Sequence, residues 1–201
     1  MNIVAERPDG IRVVRVTTLE EAAPFRASFA GAYQDIFSEP PYNERFSPDE
    51  ADAVLQQFLQ VPDNVTLLAV KGDESVVAFG IGVPAASRPD VARELRGLLP
   101  VQHSFYLAEL GTLEPYRGRG LGRQLVKLRL ELVDRRRFHH VVLRTSAVRN
   151  ASYEMYLAMG FDDTGVYMEV PARRTDGSVS TDRRLFLAKV LTPDDLGEGP
   201  R

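Results

Sequence analysis

Between residues 110 and 123 the chain reads LGTLEPYRGRGLGR: a strand-like run halts at Pro115, glycine and arginine alternate, and a helix-forming stretch begins at Leu121. Glycines at 118, 120 and 122 leave main-chain N–H groups open to an anion with no Cβ in the way, and the positive end of the following helix points to the same place. These residue types at this spacing predict a polyphosphate cradle. It is made by the main chain of Arg117, Gly118, Arg119, Gly120, Leu121 and Gly122, with cationic side chains at Arg117, Arg119 and Arg123. Two common cradles do not fit: the third glycine of G-x-G-x-x-G is missing, and no Gly-Lys-Ser/Thr follows.

The elements that must hold the cradle follow from periodicity and breakers. Residues 11–17 alternate as a strand, and Thr18-Leu19-Glu20-Glu21 is a capping box opening a helix to about residue 36. Prolines 40 and 41 make residues 38–44 a loop, and Ser47-Pro48-Asp49-Glu50 is a second capping box opening a helix to about residue 60. Helix, loop and helix predict a lid. Residues 65–71 and 75–83 flank Gly72-Asp73-Glu74 as a hairpin, and residues 88–99 have helical spacing. A strand at about 103–113 leads into the cradle, and a long helix spans 121–137. Strands follow at 141–145, 166–170 and 185–190, the first trailed by a short helix and the last two joined through the turn at residues 175–178. One domain over residues 1–192 and a flexible tail over 193–201 are expected.

A second segment, NASYEMYLAMGF from Asn150 to Phe161, lies about thirty residues downstream. Taken together, Arg117-x-x-Gly120-x-Gly122 and Tyr156-x-x-x-Gly160-Phe161 resemble the acyl-CoA loop and the N-x-x-A-x-x-x-Y-x-x-x-G-F helix of the GNAT N-acetyltransferase superfamily, one residue short after the Asn. The resemblance covers about residues 65–190. It implies an α/β (α+β) fold with a mixed central sheet flanked by helices and splayed between the strands at 103–113 and 141–145. It implies acetyl-CoA as cosubstrate, bound in that splay with no metal, and contacts from the main chain of Leu110, Thr112 and Leu113 and from Asn150. Residues 85–102, longer than the usual connection in that family, read as an insertion bordering the acceptor pocket.

Acyl transfer from a thioester to an amine needs an anchored donor, a polarised carbonyl, a deprotonated amine and a proton for the departing thiolate. The resemblance places Tyr156 near the sulfur as the acid. A phenol of pKa about 10 is a weaker acid than a thiol of about 8.5, so full transfer is uphill by about 2 kcal/mol, and a hydrogen bond that strengthens as the thiolate forms is the safer role. Glu109 is the first candidate base, because an acid in an otherwise apolar strand is costly unless solvated or paired. Its strand parity is opposite to that of Thr112, a facing that a bulge would reverse. Tyr106 shares the parity of Thr112 and is the second candidate; a water relay is the third. His103, His139 and His140 fall near strand starts and read as structural, while Tyr33, Tyr42 and Glu44 belong to the lid.

Composition narrows the classes. The 201 residues are 44% hydrophobic with a net charge of −3, so no global basic field calls for nucleic acid or an anionic membrane. With no cysteine there is no thiolate nucleophile or cysteine metal site, and the three histidines lack ligand spacing. No apolar run of about eighteen residues occurs, which makes a soluble cytoplasmic protein the expectation. An acidic lid containing Glu39 and Glu44 suits a cationic acceptor, and a small-molecule amine, metabolite or antibiotic, is the first reading. The run from Tyr106 to Arg117 is also similar to the strand of NatE-type N-terminal acetyltransferases, although their partner histidine is absent at Arg144-Thr145-Ser146. A protein or peptide acetyltransferase is therefore the alternative, and a non-catalytic acyl-CoA-binding regulator is the reading from another class. The closing hairpin leaves room for a homodimer.

Overall fold

In the computed structural model, which describes residues 2–192, eight strands make one mixed sheet. They are β1 (Asn2–Glu6), β2 (Ile11–Val16), β3 (Val65–Lys71), β4 (Ser75–Pro84), β5 (Ser104–Thr112), β6 (His140–Ser146), β7 (Asp162–Arg173) and β8 (Val179–Val190). Their spatial order is β1-β2-β3-β4-β5-β6-β8-β7, and every neighbouring pair is antiparallel except β5 and β6. Helices α1 (Leu19–Ala22), α2 (Arg26–Ser38), α3 (Pro48–Leu59) and α4 (Pro89–Glu94) belong to the segments before β5, whereas α5 (Leu121–Leu132) and α6 (Ala151–Leu157) follow it.

The centre of the sheet is buried on both faces, which is why β3 reads as a nearly continuous apolar run. Leu68 and Val70 face a core layer with Phe29, Tyr33 and Phe37 of α2 and Leu55 of α3. Leu67 and Ala69 face the opposite layer, with Leu125 and Leu130 of α5 and Tyr153 and Tyr156 of α6. No helix among the described residues is long and apolar enough to cross a membrane.

Most expected elements are present, with instructive differences. The first helix is two, because Pro24 has no N–H to give and residues 23–25 tighten into a 3₁₀ turn. The second capping box forms as expected, Ser47 and Glu50 each accepting the other's main-chain N–H. The helix over 88–99 shortens to α4, and the chain passes Gly97 at φ +84°. The long helix stops at Leu132, not 137, as Val133 turns extended and Asp134 accepts the Arg136 N–H in a separate turn. Strand β1 pairs along β2 without having been expected, and the closing strands lengthen to twelve residues each. The expected tail, 193–201, lies outside the described residues.

One irregularity positions the site. Ile81 of β4 faces Glu109 of β5, but the next residue, Gly82, faces Leu107, so Ala108 is an extra residue in the ladder. Beyond the bulge β5 leaves β6: their parallel pairing ends at Leu107 with Leu143, and residues 108–112 keep β4 alone as a strand neighbour. The splay thus opens between the two strands where it was expected.

Candidate active site

The splay holds a cleft of about 470 Å³. Leu110, Gly111 and Thr112 form its floor on β5, the loop from Tyr116 to Arg123 closes one end, and Asn150 to Ser152 at the start of α6 line the other side. Gly118 and Gly120 stand at φ +72° and +77°, a region that disfavours L side chains, while an added Cβ at either would meet nothing within 4 Å. Their need is conformational, not spatial. Gly120 is the N-cap of α5 and brings no side chain to the first-turn N–H groups, which leaves that helix end suited to an anion.

The expected cationic side chains divide. Arg117 and Arg123 line the cleft, and Arg123 has no ion pair among the described residues. The Arg117 Nε donates to the Thr112 carbonyl at 2.9 Å and its Nη2 pairs with Glu39 at 2.6 Å, so it ties the cradle to the loop after α2. Arg119 lies over the Tyr116 ring and is outside the cleft lining, and its carbonyl accepts from Arg7 at 2.9 Å. Leu113 also departs from expectation: its N–H is bonded to the Val77 carbonyl at 3.0 Å and cannot serve a ligand. Asn150 reaches the cleft while its side-chain oxygen caps α6 through the Tyr153 N–H at 3.0 Å.

A second cavity of about 280 Å³ adjoins the first, and Tyr42, Leu110 and Ser152 line both. Glu109 and Tyr156 share its wall. In a regular strand Tyr106 and Glu109 would face opposite sides, and Tyr106 would face with Thr112. The extra residue at Ala108 breaks that parity: Tyr106 packs in the α2-side layer, Glu109 turns to the cavity on the same side, and Thr112 turns toward Gly122 of α5. Tyr106 itself is 1% exposed, lines neither cavity, and has a hydroxyl with no hydrogen-bond partner. Burial pushes its pKa up to about 12.

Burial also raises the Glu109 carboxyl to about 7, against the pull of Arg144 and Arg88. That value is poised for taking a proton near neutral pH. The Tyr156 hydroxyl is raised to about 12 by burial, with Arg129 acting in the opposite direction. Its ring packs on Phe161 at 5.6 Å, which is what the Tyr-x-x-x-Gly-Phe spacing accomplishes across the end of α6.

The acidic lid is corrected. Glu39 is taken by Arg117, and Glu44 is held by Arg184 at 2.7 Å, so neither presents free negative charge to a cationic acceptor. The loop is not free either: the Arg45 N–H bonds the Arg173 carbonyl at 2.8 Å, and the Thr175 N–H bonds the Asn43 carbonyl at 2.9 Å, which fastens it to the β7–β8 hairpin. The histidines stand away from the chemistry. His103 and His139 stack at 5.4 Å, and none of the three lines either cavity.

A family model described as the acetyltransferase (GNAT) family matches residues 30–161, about two-thirds of the chain. The chain belongs to that family. Solved structures agree on the fold at low identity. A ribosomal-protein-alanine N-acetyltransferase from Brucella melitensis is 19% identical with a TM-score of 0.62, over 89% of this chain and 99% of that one. An N-acetyltransferase from Staphylococcus aureus Mu50 is 15% identical with a TM-score of 0.61, over 90% and 99%. A chain of the NatC complex bound to Gag peptide and CoA is 18% identical with a TM-score of 0.58, over 90% and 99%. No curated protein sequence matches significantly.

Sequence reasoning missed Arg144 and Arg184, which line the second cavity of this GNAT enzyme, and also a buried arginine beside it. Arg129 is wholly buried on α5 at a position where the stripe of Leu125 and Val133 calls for an apolar side chain. Its Nη1 donates to the Ile81 carbonyl at 3.0 Å and the Glu109 carbonyl at 2.9 Å, the two residues that face each other beside the bulge. The guanidinium therefore satisfies carbonyls where the ladder changes register. Its Nη2 has no hydrogen-bond partner among the described residues, and burial lowers the guanidinium's pKa to about 10, with Tyr156 the first group acting against that fall. A charged residue inside an apolar helical stripe was the available signal.

Proposed function

We propose that this N-acetyltransferase moves an acetyl group from acetyl-CoA to the primary amine of a small molecule, by direct attack with both substrates bound. The observation that carries the proposal is that Glu109 and Tyr156 line one cavity whose wall shares Tyr42, Leu110 and Ser152 with the cleft of the anion cradle. The donor fits the residues present: main-chain N–H groups at the α5 N-terminus and the Arg123 side chain suit a pyrophosphate, and the β5 edge freed by the splay suits the amides of pantetheine. Acetyl-CoA supplies the activated thioester.

Glu109 takes the proton that the acceptor ammonium must lose before its nitrogen can attack. From a carboxyl at about 7, the gap to a lysine-like ammonium is roughly three units, or about 4–5 kcal/mol, and to an α-ammonium near 8 about one unit. Direct proton removal is thus accessible for an α-amine without a water relay. As the new C–N bond forms and the C–S bond breaks, the nitrogen passes its second proton to the departing sulfur, giving amide and free thiol, and the Tyr156 hydroxyl favours that departure by donating a hydrogen bond to the sulfur. Tyr106, sealed away from both cavities, has no part in this reading. A loop fastened across a cavity of about 280 Å³ favours a small acceptor over a folded protein.

The test is thiol release from acetyl-CoA over a panel of amino acids, aliphatic amines, polyamines, aminoglycosides and short peptides, with titration calorimetry of acetyl-CoA. Binding with turnover of a small amine is expected. Binding with no turnover of any amine would favour an acyl-CoA-binding regulator, turnover of peptides alone would favour the protein-directed reading, and no binding would remove the donor assignment.

A further inference from the structure

The charges around the acceptor cavity cancel only while Glu109 is ionised. Arg174 and Arg184 are matched by two carboxylates: Arg184 pairs with Glu44 at 2.7 Å and with Asp182 at 2.8 Å, and Arg174 also pairs with Asp182. Arg88 and Arg144 share only one. Asp90 receives Arg88 through two contacts of 3.3 Å and meets Arg144 at 3.6 Å, so this group has two guanidinium groups and a single carboxylate. The remaining polar contact of Arg144 is its Nη1 on the Met168 sulfur at 3.2 Å, a weak acceptor. Arg144 lines the cavity, and its side chain is 19% exposed.

Glu109 is the acid left to balance this surplus, and the proposed chemistry removes its charge. When Glu109 accepts the proton of the incoming ammonium it becomes neutral, and the Arg88–Arg144 group is then left one positive charge in excess beside the reacting centre. An acceptor that brings its own anion resolves this. From these pairings we infer that the acceptor is an amine with a carboxylate next to it, an α-amino acid or the amino end of an equally small analogue, whose amine meets Glu109 and whose carboxylate meets Arg144. The inference rests on the acetyl-transfer reading above and names its substrate class.

Two further features agree with it. The rings of Tyr33, Phe37 and Phe46 form an apolar wall of the same cavity, so an apolar or aromatic side chain is favoured over a polar one. A polyamine or aminoglycoside would place additional cations against arginines left one carboxylate short once Glu109 is neutral, which is unfavourable in a partly desolvated cavity. An α-ammonium is also the kind for which the proton step to Glu109 is least uphill.

The experiment compares L-phenylalanine with phenylalaninamide, phenethylamine and spermidine in thiol release from acetyl-CoA, in the wild type and in Arg144→Gln. A charge-assisted contact predicts that phenylalanine exceeds phenethylamine by about 10- to 100-fold in kcat/KM, that the amide falls between or below, and that spermidine is poorest. In Arg144→Gln the ratio of phenylalanine to phenethylamine should fall toward one. If that variant fails to fold, the wild-type ratio alone decides. Equal or better turnover of phenethylamine or spermidine by the wild type would overturn the inference while leaving the acetyltransferase reading intact. Loss of acetyl-CoA binding, or no turnover with any amine, would overturn both.

Discussion

The donor cleft and the acceptor cavity meet at Leu110 yet are built by different means. The donor side is largely main chain from one continuous stretch, residues 110–123, with positive-φ glycines at its turn. The acceptor side is side chains from widely separated segments, among them Tyr33, Glu44, Glu109, Arg144 and Arg184. A main-chain site recognises a group that every peptide backbone can bind, so the same stretch serves whatever acceptor the enzyme takes. A side-chain site can be altered residue by residue without disturbing the fold. The contrast explains why the family is read from one half of the active site and the substrate from the other.

Four measurements sharpen or break this contrast. The largest effect is expected for Glu109→Gln, which should lower kcat by about 100-fold or more while leaving the calorimetric affinity for acetyl-CoA within about twofold. In the wild type the acid limb of kcat/KM should rise through pH of about 7 as Glu109 loses its proton, and that limb should vanish in the variant. A pH profile without an inflection near neutrality would remove Glu109 as the base.

Next is Tyr156→Phe, which loses one hydrogen bond to the leaving sulfur and should reduce kcat by about 10- to 100-fold. Its acetyl-CoA affinity should hold, and a parallel loss of affinity would mean that the tyrosine is a donor-side contact.

Gly120→Val tests the donor half alone. A β-branched residue at φ +77° is strained although no atom lies within 4 Å of its Cβ. We expect about 1–2 kcal/mol of local cost and roughly tenfold weaker acetyl-CoA binding, with acceptor KM unchanged. Unchanged CoA affinity would mean that the cradle does not depend on the left-handed turn.

The smallest effect is on stability. The folded Glu109 holds its proton to about pH 7, whereas the unfolded side chain releases it near 4.3, so the folded state binds more protons between those values and stability falls as pH rises through the window. Allowing for screening by water in the cavity, about 1–2 kcal/mol should be lost. Glu109→Gln should therefore melt progressively higher relative to the wild type from pH 5 to pH 8. A constant difference in Tm would place the Glu109 pKa back in the ordinary carboxylate range.

Particular residues show what could be read in advance. The capping box at Ser47, the strand at β3, the turn at residues 175–178 and the Gly-Arg cradle depend on neighbours within a few positions, and all are present in the fold. The break at Pro24 was also local and was passed over. Glu109 was picked out as an acid in an apolar strand, but its facing rested on whether a bulge exists, and Ala108 bears no local sign of one. Arg117 lines the cleft as its position suggested, but its ion pair with Glu39, far away in the chain, had no local sign, and neither had the hydrogen bond of Arg7 to the Arg119 carbonyl.

By itself the sequence determined the order of the strands from β2 onward, the left-handed glycine loop before α5 and the Tyr-x-x-x-Gly-Phe turn, because periodicity, caps and left-handed glycines are set by bonded geometry over short spans. Tertiary structure decided the acceptor half. Charge pairing acts through space, and Glu44 meets Arg184 across 140 residues of chain. Only the folded sheet, bulged at Ala108 and braced by Arg129, determines which acids are paired with arginine and that Glu109 turns into the second cavity.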